Sequence, residues 1–218
     1  MDATAIVTGG TGGLGRAVVA RFAADGWRVV VPDARPAELD GAEVVEADLT
    51  DRDAVARSVA VAQDGPPLRA VVNLVGGFAA GQPVADTPYA EFEAQFTLNL
   101  RPTYLVCQAT LPVLAAAGGG SIVCTGSSAA LSPFAGAAGY AASKAAVLTF
   151  AQVVAKEGEP DGIRCNAIVP SMIDTPANRA SMPEAEWGKL VPPQRIADVV
   201  VFLCGDASAA ITGAAVPV

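Results

Sequence analysis

The chain contains no histidine. That absence removes a Ser-His-Asp triad, an H-E-x-x-H zinc protease site and a Cys/His zinc dehydrogenase site, so the chemistry has to run through Tyr, Lys, Ser, Asn or carboxylates. No metal is expected. Charge is sparse as well: 17% of the 218 residues are charged and 52% are apolar, a balance that supports a large core and is far from that of disordered chains. Basic residues are the scarcer sign, 14 against 22 acidic, for a net charge of -8. Phosphate-backbone binders need clustered Lys and Arg, so nucleic acid is not an expected partner. Long hydrophobic runs are missing too. The run Ala3 to Val7 is too short for a signal peptide, lacks a basic flank and leads straight into glycines, and later apolar stretches are broken by Gly, Pro or charge. A soluble, cytoplasmic protein with no membrane partner is expected. Cys107, Cys124, Cys165 and Cys204 are scattered without a C-x-x-C pair and read as buried reduced thiols.

What is present is an alternation of strand-length apolar runs with helical patterns. The runs are Thr4 to Val7, Arg28 to Val31, Glu43 to Glu46, Ala70 to Leu74, Ser121 to Cys124, Arg164 to Ile168 and Ala214 to Val216. Near-continuous Val, Ile and Ala in a strand means burial on both faces, hence a parallel sheet covered by helices. Leu14, Val18 and Phe22 share one helical face, with Asp25-Gly26 as the stop, and Val55, Val59 and Ala62 do the same after Asp51. One long helix is expected from Tyr89 to Ala115, kinked at Pro102, which has no N–H for the Leu98 carbonyl; another is expected from Gly139 to Glu157. Nothing marks a domain boundary. The expected fold is α/β: a single-domain Rossmann fold over residues 1–218, with a doubly wound seven-stranded parallel sheet and helices on both faces.

Between the first strand and first helix lies Thr8-Gly9-Gly10-Thr11-Gly12-Gly13-Leu14-Gly15, which satisfies G-x-G-x-x-G at Gly10, Gly12 and Gly15. Glycines suit such a turn because a side chain would keep a pyrophosphate from the helix N-terminus, where free N–H groups favour an anion. Asp33, at the end of the second strand about 20 positions on, suits the adenosine ribose hydroxyls. Its carboxylate would repel the extra phosphate of NADP, so NAD is the expected cofactor and NADP the less favoured one, a preference that Arg35 softens.

Tyr140-Ala141-Ala142-Ser143-Lys144 puts a phenol and an ammonium at i and i+4 on one helical face. A phenol is a poor acid or base at neutral pH, and a neighbouring cation favours its charged form. An enzyme reducing a carbonyl needs a group to give a proton to the forming alkoxide, and without histidine Tyr140 is the best candidate.

Together these residues resemble the short-chain dehydrogenase/reductase family almost end to end. The family's T-G-x-x-x-G-x-G turn is matched by Thr8, Gly9, Gly13 and Gly15, with Thr11, Gly12 and Leu14 between them; its acidic adenine-pocket residue by Asp48, followed by Leu49; its N-x-A-G element by Asn73-Leu74-Val75-Gly76. Gly12 stands where many NADP-using members carry a basic residue. The resemblance implies that Ser127 bonds the substrate oxygen, that Tyr140 is the general acid/base, that Lys144 holds the nicotinamide ribose and supports the tyrosine, and that Asn99 supports a proton relay through water, with the Pro102 break leaving room for it. Asn166 to Thr175 is similar to the family's N-A-I-x-P-G-x-I-x-T, whose later residues, here Pro170, Ile173 and Thr175, meet the nicotinamide amide. Ser171 replaces the usual glycine there, which puts the local backbone in question. Members usually continue for several residues beyond the point matching Val218, which points to a trimmed end.

The expected activity is NAD(H)-dependent hydride transfer between a carbonyl and a secondary alcohol. A nucleotide-sensing regulator on the same fold is the alternative, although such proteins usually lose the Tyr or the Lys. A sugar-nucleotide epimerase also uses Y-x-x-x-K but needs a C-terminal substrate domain, for which the chain after Thr175 is too short. Residues 171–193, with Met172, Met182, Trp187 and several prolines, are expected to form a substrate lid, and Phe78, Phe134 and Trp187 to line an apolar pocket for a small ketone or alcohol. By the resemblance, the helices carrying Asn99 and Tyr140 pair across subunits, and apolar Ala145 to Val154 suits a homodimer or homotetramer.

Overall fold

The computed structural model describes residues 2–35 and 37–218. Seven strands form one sheet: β1 (Thr4–Thr8), β2 (Arg28–Asp33), β3 (Glu43–Glu46), β4 (Leu68–Asn73), β5 (Gly120–Thr125), β6 (Ile163–Val169) and β7 (Ala215–Pro217). Every pairing is parallel, and the order is β3-β2-β1-β4-β5-β6-β7. Side chains alternate between two apolar layers, as a pleated strand requires. Ala5, Val7, Val29, Val31 and Val72 meet α1 (Gly13–Ala24) and α8 (Pro193–Cys204) on one face. Ile6, Val30, Val71, Ile122 and Cys124 meet α2 (Arg52–Gln63), α4 (Arg101–Ala116) and α6 (Ala138–Gly158) on the other. The single Rossmann domain read from the apolar strands is therefore the one observed.

Local signals explain the helix ends. α1 buries Leu14, Val18 and Phe22 and stops where Gly26 takes a left-handed φ of 81°, a conformation that glycine adopts without strain. Asp51 caps α2 by accepting from Asp53 N at 2.8 Å. All four cysteines are free and buried.

Two expectations need correction. The helix expected from Tyr89 to Ala115 is two helices, α3 (Tyr89–Asn99) and α4, parted at Leu100. The break falls two residues before Pro102, where its missing N–H and the constraint on the residue before it weaken the turn. The alternation of strand and helix also lapses once: residues 34–42 join β2 to β3 without a helix among the described residues, the connection being shorter than a regular crossover helix needs.

At the β1/β4 boundary the strand order reverses. Connections leave in opposite directions there and open a crevice beyond the carboxyl ends of the strands, the place where open α/β sheets bind ligands. The turn after β1 and the segment after β4 are its two walls.

Candidate active site

The β1–α1 turn is tight enough to require glycine. A Cβ on Gly15 would lie 2.1 Å from the Gly9 oxygen, one on Gly13 would lie 2.6 Å from Thr175 Cγ2, and Gly9 itself has φ 66°. Gly9, Gly12, Gly13 and Gly15, with Thr11 and Leu14, line a cavity of about 480 Å³. The N-terminus of α1 has no side-chain cap and no acidic residue in its first turn, so its N–H groups are left for an anion. Asp33, Asp48 and Leu49 line the far end of the same cavity. The Asp33 carboxylate is fixed there, accepting from Thr11 Oγ1 at 2.5 Å and from Arg35 N at 2.9 Å. Asp48 accepts from Thr50 N and Thr50 Oγ1, at 2.9 and 2.8 Å, and those bonds lower its carboxyl below the usual range.

Leu74 and Gly76, after β4, border both this cavity and a second one of about 470 Å³. Ser127, Tyr140, Lys144, Pro170 and Ile173 all line the second. Ser127 is the N-cap of the short helix α5 (Ser128–Leu131) and accepts from Ala129 N at 3.2 Å; its own O–H has no partner among the described residues. Tyr140 and Lys144 stand one turn apart near the start of α6. Lys144 is 5% exposed and donates to the Thr125 carbonyl at 3.0 Å. Burial pushes its ammonium down to about 8, partly opposed by Cys124.

Asn99 lies behind this group rather than in the cavity. Its Oδ1 accepts from Gly77 N at 2.9 Å, its Nδ2 donates to Ser143 Oγ at 3.1 Å, and Ser143 Oγ donates to the Tyr140 carbonyl at 2.8 Å. The helix break gives the Asn99 carbonyl a side-chain donor, Thr103 Oγ1 at 3.2 Å. Asn73 is also set back: its Nδ2 faces the Cys107 and Cys124 sulfurs and its Oδ1 has no partner among the described residues. Thr175 packs on the glycine turn and caps α7 (Pro176–Ala180) by accepting from Asn178 N at 3.2 Å.

Phe78 and Phe134 line the second cavity as expected, and Met172 of the 171–193 segment joins them, but Trp187 does not. The Trp187 ring lies under the Arg179 guanidinium, 4.8 Å from its centroid. Its place is set by that cation, a contact a loop sequence does not announce. Asn178 and Ser181 were missed as lining residues; their only sequence signal was a position inside the 171–193 segment. Ser171 has no positive φ, so its replacement of glycine leaves the backbone ordinary.

A glycine-turned Rossmann sheet whose switch-point crevice joins an anion-ready helix end to a Ser, Tyr and Lys group defines a dinucleotide-dependent oxidoreductase. Comparison with known proteins agrees: the short chain dehydrogenase family model matches residues 3–186, and the chain belongs to that family. It is 32% identical over 243 residues to 2-(R)-hydroxypropyl-CoM dehydrogenase of Xanthobacter autotrophicus, covering 99% of this chain and 96% of that one. It is 33% identical over 248 residues to mouse (3R)-3-hydroxyacyl-CoA dehydrogenase, covering 100% and 95%. A short-chain type dehydrogenase/reductase from Mycobacterium ulcerans superposes with a TM-score of 0.94 at 26% identity, covering 100% of this chain and 88% of that one. The protein is an oxidoreductase of this family acting on the CH–OH/C=O pair with a nicotinamide cofactor. Among the described residues no helix is long and apolar enough to cross a membrane.

Proposed function

We propose that the protein interconverts a small ketone and a secondary alcohol with NAD(H), with Tyr140 as general acid/base. The observation that carries this reading is the continuity of the two cavities at Leu74 and Gly76, which connects the glycine turn to Ser127, Tyr140 and Lys144. The residues present fit a nicotinamide dinucleotide: Gly10, Gly13 and Gly15 of the turn have no room for a Cβ, and Thr125 Oγ1 is buried beside Lys144 without a partner among the described residues.

The turn from Gly9 to Gly15 holds the pyrophosphate, Asp33 the adenosine ribose hydroxyls, and Asp48 and Leu49 the adenine. Gly76, with the backbone beside Asn73, together with Lys144, Pro170, Ile173 and Thr175, holds the nicotinamide ribose and amide. Bound there, the nicotinamide supplies a hydride for reduction and accepts one in the reverse direction. Ser127 donates to the substrate oxygen, and Tyr140 gives that oxygen its phenolic proton. The Lys144 ammonium one turn away favours the phenolate left behind, and Asn99 supports its reprotonation through water. Residues 171–193 close over the substrate and exclude solvent. NAD is favoured over NADP because the fixed Asp33 carboxylate would face a ribose phosphate, a like-charge contact. The surface of α4 and α6 pairs two or more chains.

Titration with NADH and NADPH separately, followed by assay of ketones and alcohols, tests the reading. NADH should bind at least tenfold tighter, about 1.4 kcal/mol, and Asp33→Ser should narrow the gap. Tyr140→Phe should keep NADH binding and lower turnover by on the order of 100-fold or more. Failure of both nucleotides to bind would overturn the reading. Binding without turnover by the unaltered protein would favour a nucleotide sensor.

A further inference from the structure

The substrate half of the second cavity has a wall that the hydride-transfer chemistry does not use. Phe78 packs edge-on against Tyr140, with ring centroids 4.9 Å apart at 84°, and Phe134 continues the surface 6.4 Å from Phe78. Phe78 and Phe134 are 63% and 52% exposed, so two phenyl faces stand in water inside a concave site. At 6.4 Å the two rings are too close to admit a third between them, since a stacked ring needs about 3.5 to 4.0 Å on each side. They form one continuous surface on which an apolar group lies flat or edge-on, and its inner edge is the phenol that meets the reacting oxygen.

Free positive charge is missing from the same region among the described residues. No lysine or arginine occurs between Arg69 and Arg101, or between Arg101 and Lys144. Lys144 is buried and bonded to the Thr125 carbonyl. Arg179, next to the lining residue Asn178, is taken by Asp174 through two bonds of 2.5 and 2.6 Å and by the Trp187 face. Two polar groups of the lid segment are also engaged: Asn178 Nδ2 donates to the Ile173 carbonyl at 2.7 Å, and Ser181 Oγ donates to the Asn178 carbonyl at 2.8 Å. Between Phe78 and α3, and on α3 itself, the exposed charges are Asp86, Glu91 and Glu93, all negative. Among the described residues Lys144 is the only cation lining the cavity, so a carboxylate, phosphate or carrier-linked anion finds no free cation there and meets a like-signed approach.

We propose that the substrate is an uncharged ketone or secondary alcohol carrying an aromatic ring, seated on the Phe78–Phe134 wall with its oxygen at Ser127 and Tyr140. The proposal rests on the oxidoreductase reading given above. Burying a ring there covers the two exposed phenyl faces and uses aromatic edge and face contacts beyond area alone. Phe78 thereby selects the substrate and also shields the phenol from water.

The test compares kcat/KM with NADH for phenylacetone, 2-butanone, acetoacetate and acetoacetyl-CoA. Phenylacetone should exceed acetoacetate and acetoacetyl-CoA by at least about tenfold. In Phe78→Ala and Phe134→Ala the ratio of phenylacetone to 2-butanone should fall by on the order of fivefold each, while Phe78→Leu, which keeps apolar bulk, should fall less. Because the ratio is internal to each variant, partial unfolding cancels. Preferred reduction of acetoacetate or acetoacetyl-CoA overturns this proposal and leaves the oxidoreductase reading standing. An unchanged ratio in both alanine variants also overturns it. If NADH binds but no ketone is reduced and 1-phenyl-2-propanol is not oxidised with NAD, the oxidoreductase reading fails and this proposal with it.

Discussion

Lys144 shows what burying a single charged side chain costs the fold. Its ammonium is 5% exposed and held by one carbonyl, and burial lowers it to about 8 from 10.5. A base whose folded-state value is depressed is penalised wherever both states are charged. Below pH 8 that penalty is constant, roughly 3 kcal/mol; between pH 8 and 10.5 the unfolded chain binds more protons, so stability rises with pH until the penalty is gone. Lys144→Met has no such charge. Urea unfolding of both proteins at pH 8 and 10.5 should show the unaltered protein gaining roughly 3 kcal/mol relative to the variant. Equal pH dependence in the two would mean that the ammonium is not desolvated as the structure has it. Turnover of the variant should be lost at every pH, since the stabilising exchange removes the cation beside Tyr140. That Tyr140, Lys144 and Ser127 line one cavity was legible in the sequence, the first two through their helical spacing and Ser127 through its offset in the family resemblance. Trp187, Asn178 and Ser181 were not: their places are set by Arg179, the Ile173 carbonyl and the turn at Asn178, contacts with no period to read.

At the scale of elements, Asn99 joins three pieces that are separate in sequence. It accepts from Gly77 N after β4, terminates α3, and donates to Ser143 on α6, whose hydroxyl returns to the Tyr140 carbonyl. Asn99→Ala leaves the Gly77 N–H and the Ser143 oxygen short of a partner, a loss of about 1 to 3 kcal/mol. Asn99→Asp restores the acceptor but not the donor, so thermal unfolding should place it between alanine and the unaltered protein. If both variants melt with the unaltered protein, the clasp contributes nothing to stability. The strands around this clasp were readable because burial on both faces leaves almost continuous Val, Ile and Ala. The break at Leu100 was readable in kind, through Pro102, but not in place, because the helix yields where its neighbours allow. The helix-free β2–β3 connection was hidden: Ala34 to Ala42 mixes charge and proline with no apolar period, which fits a loop or a short exposed helix equally well.

For the whole molecule, the sheet and its helices account for the core but leave an apolar surface on α4 and α6. Tyr104 and Val153 are each 46% exposed, and Leu98, at the end of α3, is 41% exposed. Tyr104 packs on Phe150 with ring centroids 5.8 Å apart, so an aromatic ridge joins the two helices from outside. α6 also carries Tyr140 and Lys144, and Asn99 closes α3 just before α4 begins, so covering the outer faces of α4 and α6 would hold the candidate site steady. A net charge of -8 opposes nonspecific association, so the pairing proposed above would have to come from this apolar surface rather than from charge. Light scattering should give a mass two or four times that of the single chain. Val153→Glu puts a carboxylate into the contact without touching the core and should shift the mass toward one chain, with unchanged far-ultraviolet circular dichroism. Thermal unfolding of the unaltered protein should then depend on its concentration and that of Val153→Glu should not, because assembly stabilises the folded state by mass action. A monomer under both measurements would show that this face is simply exposed, and that the Asn99 clasp steadies the site alone.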